Sequence, residues 1–278
     1  MSLLIKKAKS YGFCFGVKRA VEIAENSKNA VTLGPLIHNP LEIERLSKNY
    51  NVKYVNSTDE VDENIKRVIV RTHGIPKNKY NELLNKNVEV IDATCPFVKK
   101  PQEIVEKMSK EGYDIVIFGD KNHPEIQGVM SYSVHERVYV VLDVNELKNI
   151  HLREKIATVA QTTRKISDYL EITNYLISNY KEVRVFNTIC NATFENQDAV
   201  RELSREADVM IIVGGKNSSN TKQLFNIAKD NCDAYLVESE DEIKKEWFEG
   251  KKLCGVSAGA STPEWLVEKI ISRIKDLT

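Results

Sequence analysis

The sequence predicts an α/β fold made of three similar units with parallel-type sheets. Short apolar, β-branched stretches alternate with amphipathic helical stretches along all 278 residues, and such short apolar runs are typical of buried strands in parallel sheets. Polar or glycine-containing segments follow these strands. They recur in the same order three times, which predicts related units around a pseudo-threefold axis.

The predicted elements follow from the hydrophobic pattern. The clearest strands are runs rich in Val and Ile, at 67–70, 114–118, 138–142, 183–186 and 208–213. Amphipathic helices are predicted at 16–28, 39–50, 97–111, 164–179, 198–206 and 263–276. Pro40 and Pro263 lie in the first turns of two of them, where a helix has no use for the N–H that proline lacks.

Each repeat begins at a cysteine and continues with two polar strand ends. The three sets are Cys14 with His38 and His73, Cys95 with His123 and Thr162, and Cys190 with Ser218 and Ser261. Ligands gather at the carboxyl ends of parallel strands, so we expect these sets to line one centre. The predicted lobes are 16–95, 96–187, and 188–278 together with 1–15.

Composition excludes several classes of protein. Forty Lys and Arg balance forty Asp and Glu, so no overall field is expected to recruit nucleic acid or a membrane surface. The longest apolar runs have strand length, far below the ~20 residues of a membrane helix, and the first residues lack an export signal. We therefore expect a soluble cytoplasmic protein whose five cysteines are thiols.

Cys14, Cys95 and Cys190 are the candidate metal ligands. If the three units face one another, three thiolates converge on one centre. Three thiolates suit either zinc with an open fourth position or a cubane iron–sulfur cluster with one iron lacking a protein thiolate. Cys232 and Cys254 are left out, because their contexts resemble a loop and a strand core.

The strand ends also predict an anion site. Donors near helix N-termini favour phosphate, because the helix dipole adds to their hydrogen bonds. The candidates are His38, His73, His123, Ser218, Ser219, Asn220 and Ser261. Helix capping is the alternative for the serines, and Ser261 could form a capping box with Glu264. A Walker loop is excluded, because Met210 stands where that loop needs glycine.

Glu125, in His-Pro-Glu at 123–125, is the candidate general acid. Such an acid must keep its proton near neutral pH, which requires desolvation or nearby negative charge. The alternative is a first-turn glutamate that merely stabilises the helix dipole.

Eight motifs, taken together and in this order, resemble the 4-hydroxy-3-methylbut-2-enyl diphosphate reductases, the LytB family. They are Gly-Phe-Cys-Phe-Gly-Val-Lys-Arg-Ala at 12–20, Gly-Pro-Leu-Ile-His-Asn-Pro at 34–40, Asp-Ala-Thr-Cys-Pro at 92–96, His-Pro-Glu at 123–125, Gln-Thr-Thr at 161–163, Asn-Thr-Ile-Cys-Asn-Ala-Thr at 187–193, Lys-Asn-Ser-Ser-Asn at 216–220 and Ala-Gly-Ala-Ser at 258–261. The resemblance runs essentially the whole length of the chain.

The resemblance implies an enzyme that reductively removes the hydroxyl of an allylic diphosphate, yielding isopentenyl and dimethylallyl diphosphates. It implies one 4Fe-4S cluster with three cysteine ligands and one open iron, and electrons from ferredoxin or flavodoxin. The matching cluster ligands are Cys14, Cys95 and Cys190. The matching diphosphate-binding residues are His38, His73, His123, Ser218, Ser219, Asn220 and Ser261. Thr162 and Glu125, with His123, match the residues that orient the hydroxyl and deliver protons.

Two positions depart from the family pattern. Asn196 stands where an arginine is usual before Gln197, and Asn122 stands where glycine often precedes His-Pro-Glu. Two rival functions remain at this point, a zinc enzyme acting on a small phosphorylated substrate and a redox sensor with a labile cluster.

Overall fold

Three parallel sheets of four strands each form the framework of the computed structural model, which describes residues 3–278 apart from the side chain of Ser219. The first sheet contains β2 (Val31–Leu33), β3 (Lys53–Val55), β4 (Arg67–Val70) and β5 (Glu89–Asp92). The second contains β6 (Asp114–Phe118), β7 (Val138–Val141), β8 (Lys155–Ala160) and β9 (Glu182–Val185). The third contains β10 (Val209–Val213), β11 (Asp233–Val237), β12 (Leu253–Ala258) and β1 (Leu4–Lys7).

The three sheets share one strand order. The orders are β3-β2-β4-β5, β7-β6-β8-β9 and β11-β10-β12-β1. We count β10, β11, β12 and β1 as the first to fourth strands of the third sheet. In each sheet the first strand then pairs with the second and third, and the fourth strand pairs with the third. The third sheet takes its fourth strand, β1, from the beginning of the chain, so the repeat is circularly permuted in that sheet.

A backbone hydrogen bond repeats in the same way. The residue just past the first strand of each sheet is a glycine, and its N–H donates to the carbonyl that ends the second strand. The pairs are Gly34 with Val55 at 2.7 Å, Gly119 with Val141 at 2.9 Å, and Gly214 with Val237 at 2.9 Å. Gly214 has a φ of 143°, which a residue with a side chain rarely adopts.

The helices connect the strands and cover the sheets. They are α1 (Phe15–Asn26), α2 (Pro40–Tyr50), α3 (Lys77–Leu84), α4 (Pro96–Lys110), α5 (Pro124–Met130), α6 (Val144–Lys148), α7 (Ile166–Asn179), α8 (Ala192–Ser204), α9 (Ser219–Lys229) and α10 (Glu264–Leu277). Helix α8 begins six residues before the predicted 198–206 helix. Its first turns contain Thr193, Glu195 and Asn196, which weaken the apolar periodicity there.

The chain divides into two compact units. One comprises the chain up to Lys18, Ile37–Leu46 and Asn191–Thr278, and it contains the third sheet. Its central strand β10 is buried on both faces: Val209, Ile211 and Val213 pack in the cluster that includes α10 residues, whereas Met210 and Ile212 pack with residues of α8 and α9. Burial on both faces explains the uninterrupted apolar run.

The other unit comprises Arg19–Leu36 and Ser47–Cys190, and it contains the first two sheets. Strand β6 is fully buried, with Val116 and Phe118 in one core cluster and Ile115 and Ile117 in another. The first sheet buries β4 in a cluster with Leu83 of α3.

The predicted fold class, three similar α/β units with parallel sheets, is confirmed. The strands of each sheet fall inside one of the predicted lobes 16–95, 96–187, and 188–278 with 1–15, of which residues 1 and 2 lie outside the described part. The lobe boundaries themselves stay a prediction. Within residues 3–278, the helices are too short or too polar to span a bilayer.

Candidate active site

Cys14, Cys95 and Cys190 occupy equivalent places in the three sheets. Each follows the fourth strand of its sheet and lies one or two residues before a helix, namely α1, α4 or α8. The N–H of each cysteine donates to the carbonyl two residues past the end of the third strand. The bonds are Cys14 to Ala260 at 3.1 Å, Cys95 to Thr72 at 3.0 Å, and Cys190 to Thr162 at 2.8 Å. The repeat predicted from the layout of the sequence is therefore visible in backbone geometry.

None of the five cysteines forms a disulfide bond. Cys254 is fully buried in β12, and burial raises the pKa of its thiol to about 12. A thiol that holds its proton so firmly is a poor ligand, which agrees with leaving it out of the site. Cys232 is partly buried, and its Sγ contacts the carbonyl of Ala228.

The three cysteines supply the thiolate donors that iron–sulfur clusters take, and each is held by an equivalent backbone hydrogen bond. Within residues 3–278, no group of three or more His, Cys, Asp or Glu side chains is placed to hold a single metal ion.

Glu125 and Thr162 form a buried pair within the second sheet and its helices. The Glu125 carboxyl is 1% exposed. Its Oε1 accepts from the Thr162 N–H at 2.7 Å, and its Oε2 lies 2.7 Å from the Thr162 hydroxyl. Burial raises the pKa of Glu125, and the two bonds from Thr162 offset part of that rise. The desolvation that a general acid requires is present.

This geometry does not favour the helix-dipole alternative for Glu125. Both carboxyl oxygens contact Thr162, which follows β8. A glutamate that acted through the dipole would direct its charge at the N–H groups of its own helix. Instead, His123 caps α5, because its Nδ1 accepts from the N–H of Glu125 at 3.2 Å.

His73 and His123 lie together, although they follow strands of different sheets. Their ring centroids are 5.6 Å apart and the rings meet edge to face at 78°. Because Nδ1 of His123 accepts a backbone N–H, the neutral ring carries its proton on Nε2 and can donate it. The two histidines and Glu125 all belong to the unit formed by Arg19–Leu36 and Ser47–Cys190.

Ser218, Asn220 and Ser261 belong to the other unit. Ser218 caps α9, with its hydroxyl accepting from the Thr221 N–H at 3.3 Å. The capping alternative therefore holds for Ser218, and it leaves other hydrogen-bonding capacity on the hydroxyl. Ser261 does not cap α10, whose N-cap is Pro263. Ser219 is the first residue of α9, and its side chain lies outside the described part.

The side-chain amide of Asn220 is buried without a hydrogen-bond partner at either its oxygen or its nitrogen. An unsatisfied buried polar group costs about 1–3 kcal/mol. A bound anion that accepted from the amide N–H₂ would remove part of that cost. The unsatisfied buried amide makes Asn220 the best-supported candidate for the anion site.

His38 is exposed and lies immediately before the start of α2. Asn39 caps this helix, since its Oδ1 accepts from the Glu42 N–H at 3.1 Å. Sequence reasoning missed Glu42, which is 0% exposed. No local pattern identifies Glu42, because Trp265, a partner of its carboxylate, lies 223 residues away in the sequence.

The comparisons with known proteins show the family to which the chain belongs. The family described as LytB protein matches residues 5–275. The chain belongs to this family. A 4-hydroxy-3-methylbut-2-enyl diphosphate reductase of Nautilia profundicola is 83% identical over 99% of this chain and 100% of its own length. One from a Nitratiruptor species is 68% identical over 98% of each chain. The resemblance drawn from the eight motifs is confirmed.

Solved structures are similar over the same length. One is described as (E)-4-hydroxy-3-methyl-but-2-enyl diphosphate reductase, the terminal enzyme of the non-mevalonate pathway; it is 42% identical with a TM-score of 0.81 and covers 99% of this chain and 100% of that chain. A second, the E-1-hydroxy-2-methyl-but-2-enyl-4-diphosphate reductase of Plasmodium falciparum, is 26% identical with a TM-score of 0.83 and covers 98% of this chain and 88% of that chain.

The two departures from the family pattern have local explanations. Asn196 is buried in α8, and its Oδ1 accepts from the Ser10 hydroxyl at 2.6 Å. A neutral amide thus fills this position by bonding a neutral neighbour. Asn122 is exposed, and its N–H donates to the Asp120 carboxylate at 2.9 Å.

Proposed function

We propose that the protein reductively dehydroxylates 4-hydroxy-3-methylbut-2-enyl diphosphate to isopentenyl and dimethylallyl diphosphates. The observation that carries this proposal is the family match across residues 5–275. The overall change consumes two electrons and two protons: the allylic C–O bond breaks, the hydroxyl leaves as water, and the carbon skeleton gains one hydrogen.

Cys14, Cys95 and Cys190 would hold one 4Fe-4S cluster with one open iron. Their equivalent backbone bonds, and the absence of disulfide bonds among the cysteines, support this assignment. When bound, such a cluster would supply single electrons and a Lewis-acidic iron.

The diphosphate would be bound by His38, His73, His123, Ser218, Ser219, Asn220 and Ser261. The unsatisfied Asn220 amide and the paired rings of His73 and His123 support this set. Hydrogen bonds to a charged group contribute about 1.5–3 kcal/mol each, so a few such donors suffice for firm binding.

Glu125 would donate the proton that lets the hydroxyl leave as water, with Thr162 orienting the reacting groups. Burial keeps the carboxyl protonated in a higher pH range than usual, because it raises the pKa of Glu125. The Thr162 hydroxyl bonds that carboxyl directly, so it can pass a proton between Glu125 and the substrate oxygen. The Nε2–H of His123 would bind a phosphate oxygen or relay a proton.

The electrons would come from ferredoxin or flavodoxin in the cytoplasm. No nucleic acid or membrane partner is proposed, since the chain carries equal numbers of basic and acidic residues. A labile cluster that only carries a signal would not require Glu125 and Thr162 to be arranged for proton transfer, so the geometry favours the enzyme over the redox sensor.

Anaerobic purification tests the proposal. Brown protein with about four iron and about four sulfide per chain, and turnover of the allylic diphosphate with a reduced low-potential donor, would support it. Colourless protein with stoichiometric zinc would end it in favour of a zinc enzyme. Cluster without substrate-dependent turnover would favour the sensor.

A further inference from the structure

A buried hydrogen-bond network joins the starts of α2 and α10. The Trp265 indole N–H donates to Oε2 of Glu42 at 2.8 Å. The Arg45 guanidinium donates to the same carboxylate twice, from Nε to Oε2 at 2.9 Å and from Nη2 to Oε1 at 2.6 Å. Arg45 therefore balances the buried charge of Glu42, while the indole connects that charge to α10.

Each end of this network lies close in sequence to a proposed diphosphate-binding residue. His38 precedes Glu42 by four residues, and Ser261 precedes Trp265 by four. The start of a helix lies between the members of each pair. Asn39 caps α2, and Pro263 occupies the N-cap position of α10 without a side-chain hydrogen bond. A shift of the Glu42–Trp265 contact would therefore be transmitted to the spacing between His38 and Ser261.

We infer that Glu42 and Trp265 are positioning residues that set the distance between His38 and Ser261, two donors to the substrate diphosphate. This inference rests on the proposed function, because it takes both donors to bind the same diphosphate. Neither positioning residue touches the substrate. They act by holding together two chain segments that are 223 residues apart in sequence at the contact.

The inference explains why a charged residue is buried here. A glutamate that only filled space would be replaced favourably by an apolar side chain of similar volume, because desolvating a charge is costly. A carboxylate has two oxygens with fixed directions, so it can accept from Arg45 and Trp265 together and define the geometry of both. Directional bonds give the site a specific spacing, which apolar contact does not.

Trp265→Phe tests this role with little disturbance of packing. The variant keeps an aromatic ring in the core cluster of the third sheet but removes the indole N–H. Trp247→Phe is the matched control: Trp247 packs on the same cluster and stacks on Tyr235 at 4.0 Å between ring centroids. Glu42→Gln weakens the bond from the other side, since a neutral amide accepts less strongly than a carboxylate.

The measurements are turnover with the anaerobic holoenzyme and inhibition by inorganic diphosphate. We expect Trp265→Phe to raise KM and the inhibition constant of diphosphate by about 3- to 10-fold, as loss of one hydrogen bond implies, while kcat and cluster content change less than about 2-fold. Glu42→Gln should shift the same two constants in the same direction. Trp247→Phe should leave them unchanged.

A double-mutant cycle separates positioning from general destabilisation. If Trp265 acts through Ser261, its effect on diphosphate inhibition should largely vanish in the Ser261→Ala background, because coupled sites are not additive. The positioning role would be overturned if the two substitutions changed the inhibition constant by independent factors that multiply, or if kcat fell as much as KM rose. The diphosphate site would remain in place in either case. If His38→Ala and Ser261→Ala do not themselves weaken diphosphate inhibition, the proposed binding site is wrong and the positioning role falls with it.

Discussion

Replacing Glu125 by glutamine removes the acidic proton of the carboxyl group and nearly preserves the size and shape of the side chain. The amide has the size and shape of the carboxyl group. Its oxygen can still accept from the Thr162 N–H, and its N–H₂ can donate to the Thr162 hydroxyl, which then acts as the acceptor. Both 2.7 Å contacts of the native pair therefore have a counterpart in the variant. We expect the fold, the cluster and diphosphate binding to survive.

The expected loss of turnover follows from what glutamine cannot do. General acid catalysis typically contributes about 100-fold to 10,000-fold, and no other carboxyl group bonds the Thr162 side chain among the described residues. We therefore expect kcat of Glu125→Gln to fall by at least about 100-fold. If Glu125 only served the helix dipole, the change would cost about 0.3–1 kcal/mol of stability and turnover would stay nearly normal.

The same variant tests the protonation state through stability. Burial raises the pKa of Glu125, so the folded protein binds this proton more tightly than the unfolded chain does. The resulting contribution to the free energy of unfolding is complete below the ordinary pKa of 4.5 and is lost as the pH rises through the folded pKa. The melting temperature of the native protein, relative to Glu125→Gln, should therefore fall as the pH increases from 4.5 upward.

One anaerobic preparation of each protein suffices for the assay. Iron and sulfide content, the inhibition constant of inorganic diphosphate, steady-state rate, and melting temperature from about pH 5.5 to about pH 9 are measured together. Thr162→Ser is the matched control, because it keeps the hydroxyl that bonds the carboxyl. Turnover of Glu125→Gln within a few-fold of the native rate would refute the assignment, and the Thr162 hydroxyl or a water bonded to His123 would become the better proton source.

Three further predictions concern the cluster and the diphosphate. Cys190→Ser should lose the intact cluster, because a neutral hydroxyl is a much poorer iron ligand than a thiolate, whereas Cys254→Ser should keep about four iron per chain; the opposite pattern in iron and sulfide analysis would show that the wrong thiols were chosen. Asn220→Ala should weaken inhibition by inorganic diphosphate by about 10-fold or more, as loss of a hydrogen bond to a charged group implies, while thermal stability stays equal or rises because a buried unsatisfied amide is removed. His73→Ala should likewise raise the inhibition constant of diphosphate with the cluster retained, and an unchanged constant in titration calorimetry would remove His73 from the anion site.

The sequence by itself determined the fold class and the family. Fully buried parallel strands appear in the sequence as continuous apolar runs, because both faces of β6 and β10 are buried. The threefold repeat was also accessible, since strand ends and cysteines recur at similar spacing even without visible identity between the thirds. The start of α8 could not be predicted from the sequence, because its first turns, which closely follow Cys190, are polar and obscure the helical period.

Only the tertiary structure decided which polar groups are desolvated and what they contact. His-Pro-Glu at 123–125 is equally compatible with an exposed first-turn glutamate and with a buried acid, and the bond from Thr162, 37 residues away, makes the difference. Glu42 and Trp265 are farther apart still, and neither shows its partner in any local pattern. Periodicity reports the surroundings of a residue within one element, whereas burial and directional pairing depend on which elements the fold brings together.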